Sequence, residues 1–246
     1  MRFASSLLFS VTIFLCAPVR GQQPMHYYYA ANTVHIPVLQ NRHDGELGVG
    51  YGWGSKKTAF EARAVYSPVR NGALMVSYYG TGSNAAKNKI GTKFSFADAG
   101  IGAYQVFEGG SASLFAGVGQ GRLRNNYGAD KYSRFTLRRW FVQPSVAFAG
   151  KIFRAGIALR LSRLYYPEGE SAYDINGIDL AAIRKIEKDS PFFLPELGLS
   201  GGMAMRPFFV SINLGSVFPD ADGLQFSRFS VNVMLSYDLG TIAGLR

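Results

Sequence analysis

The sequence predicts an all-β protein, an up-and-down antiparallel transmembrane β-barrel of about ten strands, within a range of eight to twelve. Three observations favour this fold class. Apolar and polar residues alternate with period two, the connections between candidate strands alternate between short and long, and an apolar leader precedes them. The charged fraction of 17% is low against the roughly 25% usual for soluble domains.

The N-terminus is typical of a secretory signal peptide. Arg2 precedes an apolar run over residues 7–19, and this run is shorter than the roughly 20 residues that a membrane helix needs. Cleavage before Gln22 divides the chain into three predicted parts. These are a signal peptide over 1–21, a lead-in over 22–43 that is periplasmic or tucked into the lumen, and a barrel over 44–246.

Cys16 is the only cysteine, and it allows two interpretations. In the first, it is removed with the signal peptide and leaves a mature chain without disulfide or thiolate chemistry. In the second, it is the acylated cysteine of a bacterial lipoprotein, although Phe14 and Leu15 before it are larger than the residues that such sites favour.

Ten segments carry the alternation, and each places apolar side chains on one face. In the last segment, Val233 and Leu235 oppose Asn232. The predicted strands are 46–54, 58–67, 73–80, 94–107, 111–122, 135–149, 151–163, 192–203, 207–217 and 227–239. Pro144 and Pro195 fall inside two of them, where we expect either bulges or different strand limits.

The predicted connections differ in length by parity. Those after even-numbered strands are tight, whereas most of the others are longer, at about 81–93, 123–134, 164–191 and 218–226. Outer-membrane barrels have short periplasmic turns and long outer loops. We therefore expect a location in the outer membrane of a Gram-negative bacterium, with both termini periplasmic. The alternative is a secreted soluble β-sheet binding protein.

Glycine occupies every second position from Gly48 to Gly54. A nucleotide-binding Gly-x-Gly-x-x-Gly turn needs a different spacing and a following helix, so we predict neither a nucleotide nor any other cofactor. We expect Tyr51 and Trp53 to face lipid and the glycines to face a crowded lumen. The space beside the glycines is then filled by charged side chains or by the lead-in.

The inward faces of the predicted strands carry charges of both signs. Charges in a narrow barrel interior need partners, and we expect Arg154 and Arg160 to pair with Glu61 and Glu196. The predicted polar network of the lumen consists of Glu61, Arg63, Arg139, Arg154, Arg160, Glu196 and Asp238. It allows two interpretations, a paired network that plugs the barrel and a narrow pore or pocket for small solutes.

Basic residues concentrate in one predicted outer loop, although the formal net charge of +10 is otherwise spread along the chain. The residues of this candidate glycolipid-contact loop are Arg122, Arg124, Lys131, Arg134 and Arg138. Arginine makes bidentate contacts with phosphate, so outer-membrane lipid and lipopolysaccharide are the predicted partners. A solvated loop is the alternative, and no nucleic-acid partner is predicted.

Apolar residues recur at helical spacing within the predicted loop 164–191. They are Ile175, Ile178, Ala182, Ile183 and Ile186. The spacing predicts a short amphipathic helix, which caps the barrel, lies on the outer leaflet or meets a partner protein.

The histidines are His26, His35 and His43, and all precede the first predicted strand. Hydrolases that work near neutral pH usually need a histidine base, and we expect these three on the periplasmic side, away from an outer rim. We therefore predict no enzyme and no metal site, with a barrel enzyme of non-histidine mechanism as an alternative.

One stretch carries a family resemblance. The lead-in Tyr29-Ala-Ala-Asn32-Thr-Val-His-Ile-Pro37-Val-Leu39 comes just before a strand that contains Glu46. Over about residues 29–80 the chain resembles the small, uncharacterised outer-membrane β-barrel proteins of Bacteroidetes-type bacteria. The resemblance implies a barrel in the outer membrane and brings no catalytic or binding residues. The function we expect is that of a non-enzymatic surface or envelope component.

Overall fold

The computed structural model describes residues 26–54, 57–82, 90–128, 131–172, 175, 177–205, 207–218 and 225–241. The predicted signal peptide and Cys16 lie outside the described residues. In the described part of the chain, no helix is long and apolar enough to cross a membrane.

The structure is a closed antiparallel barrel of ten strands, which confirms the predicted fold class. Each barrel strand pairs with its neighbours along the chain, and the last strand closes the barrel against the first. The barrel strands are β2 (Gly45–Gly54), β3 (Lys57–Val69), β4 (Gly72–Gly82), β5 (Gly91–Phe107), β6 (Gly110–Gly128), β7 (Lys131–Ala149), β8 (Phe153–Ser171), β9 (Phe192–Met205), β10 (Phe208–Val217) and β12 (Phe229–Asp238).

Two further strands and one helix lie outside the barrel wall. The strand β1 (Tyr29–Ala30) in the lead-in pairs in parallel with β11 (Phe226–Ser227). The helix α1 (Ile178–Asp189) connects β8 to β9 and buries Ala182, Ile183 and Ile186. This confirms the predicted amphipathic helix.

Two ends of the barrel are distinguished by their connections. The short-turn end carries the connections β3–β4, β5–β6, β7–β8 and β9–β10, each of two or three residues. The opposite, long-loop end carries α1 and the connections before β5 and β12. Two long-loop-end connections are short, however, at 55–56 and 129–130.

The predicted loop 123–134 is wrong, because β6 and β7 continue through it. Its outward side chains are charged while Leu123, Phe135 and Leu137 stay buried on the inner face. Inward and outward side chains therefore still alternate in this segment. Its outer face, however, carries charged residues, whereas the outer face of the strands nearer the short-turn end is apolar. The strand β8 likewise continues to Ser171 instead of ending at 163.

The four strands β5 to β8 form a tall wall at the long-loop end. They have 17 to 19 residues, whereas β2, β10 and β12 have ten. At about 3.3 Å per residue, these strands are roughly 20–30 Å longer than the shortest ones, and β5 also runs four residues beyond the start of β4 at the short-turn end. This wall supports the parts of the molecule that lie above the short strands.

The two prolines are accommodated inside strands. The ladder between β7 and β8 lacks the pairs at Gln143 and Pro144 and keeps the same register on either side. Pro195 lies beyond the last β10 partner, so its missing N–H removes no ladder bond there, while its carbonyl accepts from Phe218 N at 2.8 Å. Neither strand ends at its proline.

The alternating glycines of β2 face the inside of the barrel against β12. A Cβ at Gly50 would lie 2.5 Å from Asn232 Oδ1, and one at Gly52 would lie 2.6 Å from the carbonyl oxygen of Val231. Side chains and backbone of β12 therefore occupy most of the space beside these glycines. Of the charged side chains expected there, Arg63 lies beside Gly48, with its Cγ 3.4 Å from the Cβ position. Tyr51 and Trp53 point outward, as predicted.

We predict that Gly52→Ala destabilises the folded barrel by about 1–3 kcal/mol, because backbone cannot move away from the added methyl as a side-chain tip can. Gly201→Ala is the matched control, since the nearest atom to its Cβ is 3.9 Å away. Denaturant unfolding of both variants measures the difference. Equal losses of stability would show that the close approach does not matter.

Candidate functional site

The lumen is occupied by the lead-in, which runs through it as an extended segment. All side chains from His26 to Pro37 are buried, and so is Leu39. Residues 26–28 lie at the long-loop end, while residues 41–44 contact the short-turn end. The lead-in is thus inside the lumen, which is one of the two predicted placements.

A charge cluster midway along the lumen holds the lead-in, and we call it the upper cluster. Arg139 pairs with Asp98 and lies 3.3 Å from Glu196, and Arg160 pairs with the other oxygen of Glu196. All four side chains are buried, and their formal charges cancel. Because a buried ion is costly without partners, this cluster is stable only as a complete set.

The lead-in completes the upper cluster with polar atoms of its own. The Tyr29 hydroxyl donates to Glu196 Oε1 at 2.8 Å, and Arg160 Nη2 donates to Asn32 Oδ1 at 2.7 Å. Thr33 N–H donates to a Glu61 carboxylate oxygen at 2.8 Å. The segment is therefore held by directed hydrogen bonds as well as by packing.

A second cluster lies nearer the short-turn end, and we call it the lower cluster. Arg154 Nη2 lies 2.8 Å from Asp238 Oδ2 and its Nη1 lies 3.9 Å from Glu46. Arg63 Nη2 lies 3.6 Å from the other oxygen of Glu46. The expected pairing of Arg160 with Glu196 is present, but Arg154 pairs with Asp238 and Glu46 and makes no ion pair with Glu61.

All seven predicted lumen residues are thus buried. Some of them contact one another, and others contact the lead-in. The sequence-based network omitted Glu46, and it omitted Tyr29 and Asn32 of the lead-in. The alternation puts Glu46 and Asp98 on inward faces. The lead-in shows no clear period, and the cross-barrel partners leave no local signal.

Little open space remains beside the lead-in. Two cavities that border it, one at Tyr29 and one at Ile36, measure about 10 Å³ each, which is room for roughly one water molecule. Gly198 and Gly156 lie on the barrel wall beside Val34 and Ile36, at positions where a Cβ would come within 2.6 Å of these side chains. The glycines of the barrel wall therefore make room for the side chains of the lead-in.

The start of the lead-in is tied to the long-loop end. The His26 ring approaches Asp179 Oδ2 at 3.1 Å and the carbonyl oxygen of Asn126 at 2.9 Å. The Tyr28 hydroxyl donates to Asp179 Oδ1 at 3.2 Å. Burial, followed by Tyr127 and Asp179, raises the pKa of the Tyr28 hydroxyl above its usual range, so it remains a donor.

The expected position of the histidines is wrong for His26, which lies at the long-loop rim because the lead-in crosses the lumen. His43 lies at the short-turn end, where its ring contacts the Tyr66 hydroxyl at 2.8 Å. The His26–Asp179 pair has the partners of a catalytic dyad. The second ring nitrogen of His26, however, faces the backbone carbonyl of Asn126, and the ring is buried. The pair therefore holds the start of the lead-in at the long-loop end.

No group of three or more His, Cys, Asp or Glu side chains that could hold a metal ion occurs among the residues that the structure describes. The lumen carboxylates lie against arginines, which occupy the positions that a cation would need.

The predicted glycolipid-contact residues lie on the outer face of the tall wall. Arg122, Arg124, Arg134 and Arg138 point outward from β6 and β7, while Lys131 is half-buried at the hairpin end. They belong to a two-stranded extension and not to a loop. With Lys93 of β5, the four outward arginines form what we call the cationic face.

The strand register arranges the cationic face in rows. The upper row runs across four strands as Lys93, Arg124, Arg134 and Glu170, and the lower row runs as Ser95, Arg122, Thr136 and Glu168. A recess of about 610 Å³ lies between the two rows. Two residues below, Gln120 pairs with Arg138, and the next row down contains Val118 and Trp140.

An open apolar groove lies directly below the cationic face. It has a volume of about 990 Å³ and is lined on its outer side by Val76, Ala99, Ile101, Val118, Trp140 and Val142, with Arg163 beside Trp140. The groove forms because the side chains of Ala99 and Ala116 are small and are flanked by larger ones. Basic rows and an apolar groove therefore share the same strands.

We predict that Glu196→Gln destabilises the barrel by roughly 3–5 kcal/mol, because Arg139 and Arg160 lose their shared buried carboxylate. Glu170→Gln is the matched control. Its pair with Arg134 is long, at 4.0 Å, and more than half exposed, so its loss changes stability by less than about 1 kcal/mol. Denaturant midpoints compare the two, and similar shifts would contradict a central role for the upper cluster.

Comparisons with known proteins give only distant likenesses. No family model and no curated protein matches the chain. Among solved structures, the KdgM porin is 8% identical with a TM-score of 0.36 and covers 78% of this chain and 98% of its own. The attachment invasion locus protein Ail of Yersinia pestis is 11% identical with a TM-score of 0.32, covering 80% and 99%.

The translocator domain of the autotransporter NalP from Neisseria meningitidis is 10% identical, with a TM-score of 0.35, and covers 80% of this chain and 87% of its own. These similarities are too low to transfer a function to this chain.

Proposed function

We propose that this protein is a non-enzymatic outer-membrane barrel whose lumen is plugged by its own lead-in and whose cationic face binds the phosphates of lipopolysaccharide. The observation that supports the proposal is the position of the cationic face, immediately above a continuous apolar belt on the same strands.

The apolar belt has the height of a membrane core. On β7 the five outward residues from Trp140 to Phe148 are all uncharged, and the arginines begin at Arg138. The span 140–148, nine residues long, fits the roughly 9–11 that a tilted membrane strand needs. Trp53, Ile101, Phe148, Ile157 and Ile212 are about half or more exposed around the barrel. An apolar surface of this extent is unfavourable in water and favourable in lipid.

The long-loop end is placed on the outer side of the membrane. Outer-membrane barrels turn tightly in the periplasm and extend outside, and the long connections with helix α1 lie at the long-loop end. The cationic face then lies at the level of the outer-leaflet headgroups, where lipopolysaccharide carries its phosphates.

The like charges of the upper row support an anionic ligand. Lys93, Arg124 and Arg134 are direct cross-strand neighbours, and like charges in that arrangement repel. The Tyr132 ring lies between the two arginines, 5.6 and 5.0 Å from their guanidinium carbons. Glu170, 4.0 Å from Arg134, offsets one of the three positive charges and leaves the other two without an acidic neighbour in the row. A phosphate in the recess relieves the repulsion and accepts bidentate arginine bonds.

The apolar groove supports a glycolipid in preference to a free phosphate. A lipid whose phosphate lies between the two rows extends its acyl chains down the same strands, past Trp140 and into the groove beside Ala99. The rows are separated by two residues, roughly 7 Å along each strand. One molecule with a phosphorylated headgroup and several acyl chains can therefore contact both features.

We predict that replacing Lys93, Arg124 and Arg134 together by Gln weakens binding of lipopolysaccharide by about tenfold or more, since charge-assisted bonds contribute roughly 1.5–3 kcal/mol each. A control variant loses the same charge elsewhere, by Arg70→Gln, Arg184→Gln and Lys188→Gln. Binding is measured by titration with phosphorylated and dephosphorylated lipid A. Equal affinity of both variants would contradict the proposed site.

A narrow pore remains the second candidate, and the filled lumen disfavours it. We predict that the intact chain gives no steady conductance in planar bilayers, whereas a variant with residues 27–40 replaced by an equal length of Gly and Ser conducts ions. Steady conductance of the intact chain would support the pore instead.

A chain that stays in solution without detergent would favour the soluble β-sheet alternative.

A further inference from the structure

We propose that the chain preceding His26 leaves the barrel at its outer mouth, so that the mature N-terminus is displayed on the cell surface and the C-terminal end of the barrel faces the periplasm. Display on the cell surface rests on the proposed membrane orientation. The separation of the N-terminus from the C-terminal end of the barrel does not depend on that orientation. This topology differs from the expectation that both termini are periplasmic.

The outer mouth holds the first described residues through three separate elements. His26 contacts Asn126 near the end of β6 and Asp179 in α1. Tyr28 N–H donates to the carbonyl oxygen of Gln225 at 2.9 Å, next to β11 in the connection before β12. Each of these contacts lies above the short strands, at the long-loop end.

The middle of the segment descends past the barrel wall in one direction. Asn32 is bound by Arg160, and the Gln143 amide donates to the carbonyl oxygen of His35 at 2.7 Å. Further down, Leu39 packs with Met75 and Phe115. The order of contacts follows the order of the sequence, so the segment does not fold back.

The other end of the segment reaches the short-turn end. The Tyr104 hydroxyl donates to the carbonyl oxygen of Asn41 at 2.9 Å, and His43 N–H donates to that of Ser67 at 2.7 Å. The strand β2 begins directly after Asp44, and β12 ends beside it at Asp238. The lead-in therefore connects opposite ends of the barrel.

Among the described residues, the cavities beside the segment are small. The cavities of about 10 Å³ beside the segment cannot hold a second backbone. Residues 28–40, at about 3.3 Å each, span roughly 40 Å, which is enough for a single crossing.

The test uses single cysteines in the full chain and a membrane-impermeant maleimide on intact cells. Gln23→Cys reports the N-terminal side, Glu170→Cys reports the long-loop end and Lys151→Cys reports the short-turn end; both reference positions are exposed. We expect Gln23→Cys and Glu170→Cys to be labelled in intact cells and Lys151→Cys only after permeabilisation. The unsubstituted chain serves as the blank.

The comparison separates this proposal from the membrane orientation. If Gln23→Cys and Glu170→Cys share one side, whichever side it is, the crossing is supported, and labelling of Lys151→Cys alone in intact cells overturns only the orientation. If Gln23→Cys shares its side with Lys151→Cys, the crossing is overturned.

A cross-link provides a second measurement that does not depend on cell integrity. A Cβ at Gly215 would lie 3.6 Å from the Thr33 Cα, so the pair Thr33→Cys and Gly215→Cys can form a disulfide. We expect a gel shift that a reductant reverses, and none for Thr33→Cys with the outward Gly201→Cys. Absence of the first cross-link in a folded barrel would overturn the placement of the segment in the lumen.

Discussion

The structure depends on the neutralisation of charges inside the barrel. Arg139, Arg160, Asp98 and Glu196 meet in a space without bulk water, and none of them can stay ionised there alone. The lead-in supplies Tyr29 and Asn32 to satisfy their remaining hydrogen-bonding groups. Plug and wall are thus one unit, because removing the segment would leave the arginines and carboxylates incompletely bonded.

The tall wall connects the plug to the outer surface. By extending seven to nine residues beyond the shortest strands, β5 to β8 provide an inner face for Phe135, Leu137 and Leu164, on which the start of the lead-in and α1 pack. The outer face of the same extension carries the basic rows. One lengthened set of strands therefore places the packed start of the lead-in and the cationic face back to back.

Prediction from sequence was most accurate where one face of a strand contacts lipid. The alternation predicted both the strand β2 and the outward direction of its side chains Leu47, Val49, Tyr51 and Trp53. This works because a barrel in lipid requires an uncharged outer face. It failed above the belt, where Arg122, Arg124 and Arg134 made a strand resemble a loop. The position of His26 was also wrong, since nothing local distinguishes a lead-in that stays below the barrel from one that crosses it.

By itself the sequence determined the strand count, the outward faces, the amphipathic helix and most of the inward charges, because each follows from a short-range period that neighbouring residues express. Only the tertiary structure decided which charges pair, where the lead-in runs and that cations from three strands align in rows. Those features depend on register and closure, which join residues more than 100 positions apart, such as Tyr29 with Glu196. No local period records such contacts, and a shift of two residues in one strand would rearrange them all.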